Sequence, residues 1–528
     1  METFVNREAE LKLIEDAIDV LLDNKSLLRT PIIDFHGVRG IGKTTILKEV
    51  EQRCNGRPQL QCIWVNANQS MIGFSHEIIS QVKKYQGELS FQDEDGDWLS
   101  QSVDATKSLL RQGPVVMLLD SVDAADAEQL RWIEELLRNL IDDNGLFVVL
   151  ASKRALSFQQ ERSVARKLTY HPLKPLDRRS CDIYLNMLRK PVESEVRDLI
   201  FEWTRGFPLA MSIMTEAIET GLDPREADDQ KELLALLTKR VINESVLANV
   251  KMEVKRTEYQ VALQLLSVPR RFNLVIMQDL IEQFAPELRR ENSLAYFSLP
   301  KDIKQATDVL EWDLVRAGYA VDSPVRNIFL LKLRIEEPEM YYTIHKFLAE
   351  KNQHLAREVS GFDRMRYLRE YLYHSARVEE APNLVQQLTE AVQHITKEPL
   401  ESFSQFYEEF LQDKELEEAL GTHKAFVRSM LHRHWVEINR QLAARSSGPE
   451  HMHFLREFFS HMMQDPLPVD LSSELKQQVE QVIQKETPEM TLQLYEELAH
   501  DDRFIAALGD DFDRFEQRIR KNFQQKDR

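Results

Sequence analysis

Apolar and polar positions follow two periods along this chain, and the first third alternates between them. Short, nearly unbroken apolar runs stand at 30–36, 61–66, 114–119 and 146–150. Runs of that length between polar segments predict buried strands. A weaker run at 167–171 predicts a fifth. Between the runs apolar residues return every three or four positions, as at Leu11, Ile14, Ile18, Leu21 and Leu22, with Asn6 placed to cap that helix. Strands alternating with helices predict an α/β domain with a doubly wound parallel sheet over 1–175.

Beyond about Lys351 the pattern is helical and polar, with an internal similarity. Residues 367–374 resemble 454–461, residues 407–413 resemble 495–501, and 419–421 match 507–509. The offset stays at 87–88, which predicts two copies of one helical unit, about 360–445 and 447–528, joined at Ser446, Ser447, Gly448 and Pro449. Such an array offers a surface for a protein partner and no catalytic constellation.

Composition narrows the class. The 528 residues predict three or four domains, and glycine, at 16, is scarce enough to favour helices over a turn-rich β chain. The net charge of −19 argues against a phosphate backbone as the main partner, because nucleic-acid-binding proteins carry a basic face. No apolar run approaches the ~18 residues of a membrane span. Cys54, Cys62 and Cys181 form no CxxC pair and read as reduced thiols of a cytoplasmic protein.

The strongest chemical signal follows the first strand. Gly37, Val38, Arg39, Gly40, Ile41, Gly42, Lys43, Thr44 and Thr45 give G-x-x-x-x-G-K-T between a strand and a helix. The glycines let successive backbone N–H groups converge on a phosphate, and the helix N-terminus adds partial positive charge. Lys43 supplies a cation for the β- and γ-phosphates, and the Thr44 hydroxyl a Mg²⁺ ligand. A Mg²⁺ site also needs a carboxylate at a strand end, and Asp120, closing the third run, supplies it. Ser121 follows, so Asp123 is the nearest acid able to orient a water. Lys153 and Arg154 leave the fourth run and both qualify to touch a γ-phosphate; the sequence does not choose between them.

These residues resemble a STAND-class P-loop signalling ATPase of the NB-ARC type, related to AAA+ proteins. The resemblance extends to the entry segment 4–11, to Gly206, Phe207 and Pro208, which are similar to a GxP motif, and to 341–348, which is similar to the MHD motif with Ile344 and Lys346 in place of Met and Asp. It implies a helical subdomain at 176–255 and a winged-helix domain at 256–352, leaving 353–528 as the helical region. It further implies that Val5 and Arg7 lie near the nucleotide, that Pro208 covers adenine, and that His345 contacts the β-phosphate of ADP. The stretch 273–284, apolar and acidic, is expected to pack on the nucleotide domain rather than on DNA.

The function implied is an ATP/ADP-controlled switch with weak ATPase activity. It oligomerises when active and signals to a separate effector or sensor protein bound by the C-terminal helices. The alternative is an AAA+-like DNA-associated ATPase that uses its winged helix on duplex DNA.

Overall fold

The computed structural model describes residues 7–23, 28–86, 97–122, 127–143, 145–156, 158, 161–188, 190–313, 318–378, 384–397 and 399–445. Val5, Asn6, Asp123, the joint at 446–449 and the second repeat copy lie outside them. The chain divides into two compact units, Met1–Pro338 and Glu339–Arg528.

The first unit opens with α1 (Glu8–Leu22), which turns Leu11, Ile14, Ile18 and Leu21 inward as their spacing requires. Arg7, not Asn6, occupies its N-cap position and makes no capping bond there. The side chain of Arg7 is used elsewhere, as shown below.

Strands β1 (Ile32–His36), β2 (Gln61–Asn66), β3 (Val115–Asp120), β4 (Leu146–Ser152) and β5 (Leu168–Pro172) form one sheet in the order β2-β3-β4-β1-β5, every pairing parallel. All residues of β3 and β4 are buried, as central parallel strands covered on both faces must be. The covering helices are α2 (Lys43–Asn55), α3 (Met71–Gln86), α4 (Trp98–Leu110), α5 (Ala127–Leu140) and α6 (Arg162–Arg166). Ile63, Phe74, Met117, Leu136 and Val148 meet in the resulting core. The sheet order has one functional consequence: β4 lies between β1, which feeds the glycine loop, and β3, which ends in Asp120.

Four helices follow: α7 (Arg178–Asn186), α8 (Ser194–Thr204), α9 (Pro208–Thr220) and α10 (Ala227–Leu237). Pro208 takes the first turn of α9, where its missing N–H is no loss. Thr238–Val246 continues α10 as a π-helix, a form that collects near functional sites.

The unit closes with α11 (Glu253–Leu266), α12 (Leu274–Phe284), α13 (Ser298–Thr307), the antiparallel pair β6 (Leu310–Asp313) and β7 (Gly318–Val321), and α14 (Ser323–Glu336). An isolated bridge joins Phe272 to Tyr319. The apolar stretch 273–284 forms α12, capped by the Asn273 side chain, and the helix before the hairpin is α13.

The second unit contains α15 (Pro338–Glu358) from Glu339 onward, then α16 (Gly361–Ala376), α17 (Leu384–Ile395), α18 (Leu400–Gln412), α19 (Lys414–Leu420) and α20 (Lys424–Arg445). Its core is built on Leu372, Leu388, Phe403, Tyr407, Leu431 and Trp435. The unit boundary falls before the 341–348 segment, so His345 belongs to α15 and not to the end of the first unit, where the resemblance puts it. No described helix is long and apolar enough to cross a membrane.

Candidate functional site

Three loop glycines carry backbone angles that side chains resist: φ is +156° at Gly37, +91° at Gly40 and +102° at Gly42. Gly40 is also sterically required. A Cβ there would lie 2.6 Å from the Cβ of Leu209, whose amide donates to the Gly40 carbonyl at 3.2 Å. The residue after Pro208 therefore seats the start of α9 on the loop. Gly206 makes this approach possible: φ is +73°, and a Cβ would run into the Leu176 backbone.

The Lys43 ammonium donates to the carbonyls of Gly37 at 2.6 Å and Val38 at 3.0 Å, arching over its own loop. The Thr44 hydroxyl donates to Asp120 Oδ2 at 3.0 Å, so the two oxygen donors predicted for a cation stand together. Ser121 then turns the chain with φ +58°, a left-handed conformation. Ile41 is buried and its carbonyl accepts from Arg7 at 3.0 Å; Thr45 continues α2. Arg7 also donates to the Lys174 carbonyl at 2.8 Å. It thus ties the chain's entry to the glycine loop and to the exit of β5, and burial lowers its pKa.

Lys153 and Arg154 leave the tip of β4, the strand between β1 and β3. Both reach the same carboxylate. Lys153 Nζ lies 3.4 Å from Asp308 Oδ2; Arg154 bonds Asp308 Oδ1 and donates to the Lys304 carbonyl at 2.5 Å. Asp308 is the C-cap of α13, in left-handed geometry at φ +59°.

One residue of this site escaped the sequence reading. Asp34 is fully buried in β1; its Oδ1 lies 2.6 Å from the Ser152 hydroxyl and its Oδ2 accepts from the Leu156 amide at 3.0 Å. It pins both ends of the short loop that carries Lys153 and Arg154. A carboxylate inside an otherwise apolar strand was the available signal.

A narrow cleft of about 20 Å³ separates Val38 and Arg39 of the loop from Thr307, Asp308 and Val309, with Val241, Ser245 and Val246 of the π-helix on its rim. Asp322, at the N-cap of α14, has a buried Oδ1 with no hydrogen-bond partner. Burial and the neighbouring charge of Glu311 push its carboxyl up to about 7, against the Val325 amide and the charge of Lys43.

His345 is fully buried in its own unit. Its Nδ1 lies 2.9 Å from His374 Nδ1, and its ring packs edge-on to Tyr341 at 4.5 Å between centroids.

Comparison with known proteins agrees with the loop chemistry. The family described as AAA ATPase domain matches residues 3–149. That match supports an AAA+-related P-loop ATPase domain here, and with it ATP/ADP binding. Solved structures with similar architecture include the Aeropyrum pernix ORC2 protein in its ADP form (15% identity, covering 63% of this chain and 95% of that one, TM-score 0.40). The Aeropyrum pernix ORC1 protein in complex with DNA is another (15%, 64% and 94%, TM-score 0.38). A STAND protein with a tetratricopeptide repeat sensor from Pyrococcus horikoshii covers more of the chain (14%, 99% and 78%, TM-score 0.31). No curated protein matches the chain.

Proposed function

We propose that the chain is a nucleotide-controlled conformational switch whose first unit binds ADP or ATP. The observation that carries this reading is the pairing of Thr44 with Asp120 at 3.0 Å beneath a glycine loop with open, left-handed geometry. A Cβ on Gly42 would meet nothing within 4 Å, so the loop is unobstructed at that point. Two hard oxygen donors beside a glycine loop that opens a helix fit a Mg²⁺-bound phosphate chain. Bound there, the metal would neutralise charge on the phosphates. The protein's own part is to hold the phosphate tail: the loop amides and Lys43 grip it, and Thr44 and Asp120 hold the metal.

Arg7, which already fixes the loop, lies with Val5 in the segment assigned to the adenine side; Pro208 and Leu209 cover the loop from α9. Lys153 and Arg154 are the cations for the γ-phosphate. They now hold the end of α13, so the element that would report the nucleotide is the 256–338 segment. Its order of three helices and a hairpin, with the Phe272–Tyr319 bridge, supports reading it as a winged helix. Released on ATP binding, it would expose surface for self-association; the partner protein is assigned to the helices of the second unit. Asp123 is the acid proposed to orient a water for slow hydrolysis.

Identifying the nucleotide released on denaturing the purified protein, and weighing the protein by light scattering before and after ATP–Mg²⁺, tests the switch. Retained ADP and a mass that rises with ATP are expected. An empty protein of fixed mass would reject it. A DNA-associated ATPase is the second reading, favoured by the helix–hairpin order alone. The Arg154 bond to the Lys304 carbonyl, which ties down the end of α13, weighs against it.

A further inference from the structure

The cations assigned to the γ-phosphate face carboxylates of a single segment. Asp308 bridges Lys153 and Arg154. Asp322 stands near enough to Lys43 to feel its charge. The Asp322 amide donates to the Val309 carbonyl at 2.8 Å, so the two acids are fastened to one base. Asp308 occupies a left-handed position that aspartate and asparagine tolerate better than other non-glycine residues. That backbone geometry, not a flexible chain, sets where its carboxylate points. The cleft between this segment and the loop is about 20 Å³, room for roughly one water.

We infer that Asp308, supported by Asp322, stands in for the γ-phosphate and thereby sets the preference of the site for a nucleoside diphosphate over a triphosphate. The inference rests on the nucleotide-switch reading above. A diphosphate leaves Lys153 and Arg154 with Asp308. A triphosphate brings a further anion that needs the same two cations, and two anions cannot share them without repulsion. Triphosphate binding therefore requires the Asp308 contacts to break, and their strength is subtracted from its affinity. Diphosphate affinity is unaffected by them. By reciprocity, whatever else holds the 256–338 segment in place also weakens ATP relative to ADP.

Asp308→Asn is the informative substitution, because asparagine keeps the left-handed conformation and loses only the charge. ADP and ATP–Mg²⁺ dissociation constants are measured by calorimetry on the full chain, wild type and variant. The ratio Kd(ATP)/Kd(ADP) is expected to fall about tenfold, with Kd(ADP) changing less than about twofold, the size of an ordinary coupling between sites. Asp308→Gly, which also suits the backbone, is expected to do the same. Amide exchange at 304–309 should speed up with ATP in the wild type and be already fast in the variants. Normal ADP binding with an unchanged ratio overturns this inference and leaves the switch reading standing. A parallel loss of both affinities makes Asp308 merely structural and overturns it too. A wild-type chain that binds neither nucleotide removes both readings.

Discussion

At the scale of single residues, function here is concentrated in charges buried where the local pattern is apolar. Asp34 illustrates the point: one carboxylate in β1 takes the Ser152 hydroxyl and the Leu156 amide and so fixes the loop of Lys153 and Arg154. Asp34→Ala is expected to lose about 1–3 kcal/mol in urea unfolding, the size set by leaving buried polar groups unsatisfied. Asp34→Asn should lose less. Asp322 gives a pH signature. Its carboxyl is raised to about 7 in the folded protein, well above its ordinary value, so the folded state binds the proton more tightly. Its contribution to stability is full below about pH 4, declines as pH rises towards 7, and is flat above. Urea midpoints at pH 5 and pH 7.5 should differ less in Asp322→Asn than in the wild type; an equal difference in both would exclude Asp322 as the source. Glycine, lysine and threonine of the phosphate loop were readable because their spacing is itself the chemistry. Asp34 and Asp308 were not, because a carboxylate's role depends on what the fold brings beside it, here from 118 or more residues away; Asp322 was not, because its burial is a property of the fold.

At the scale of elements, the decisive feature is the insertion of β4 between β1 and β3. The strand that runs out to Lys153 and Arg154 thus stands beside both the strand that feeds the glycine loop and the strand that ends in Asp120. The apolar runs announced that strands exist, since a strand covered on both faces must be apolar throughout. Their order is a matter of crossover packing and left no local trace. The cap of α1 was misassigned for a related reason: Asn6 has the right chemistry, but Arg7 is drawn into contact with Ile41 and Lys174, and the helix begins after it. His345 sits at a position whose sequence surroundings resemble a motif, yet α15 packs it against His374 and Tyr341 within the second unit. Resemblance over eight residues does not fix which unit a helix joins. The turn into α9 carries a sharp prediction. Gly206→Ala would combine φ +73° with a Cβ driven into the Leu176 backbone. It is expected to cost about 3 kcal/mol or more, beyond the usual range of single substitutions, because neither strain nor clash can relax alone. A thermal midpoint within a degree of wild type would show that α9 can re-seat.

At the scale of the whole molecule, the proposed switch needs more energy than its nucleotide contacts alone supply. Inverting a two-state population from 1:99 to 99:1 takes about 5.5 kcal/mol of differential binding. One broken ion-pair cluster, partly exposed, supplies only a fraction of that. Nucleotide is therefore expected to bias the switch and a sensed partner to complete it. A net charge of −19 also makes duplex DNA an unfavourable partner without a local basic face. Binding to a DNA fragment should be absent at 150 mM salt, and a steep salt slope would revive the DNA-associated reading. The central claim is narrower than any of this: a phosphate tail is gripped by the loop at 37–44 and by Asp120. The most direct measurement is calorimetric titration of ATP–Mg²⁺ into the wild type and Lys43→Ala. Affinity is expected to fall by about 100-fold or more, roughly 2.7 kcal/mol, on loss of a part-buried cation from the phosphates. Equal affinities in the two proteins would contradict it.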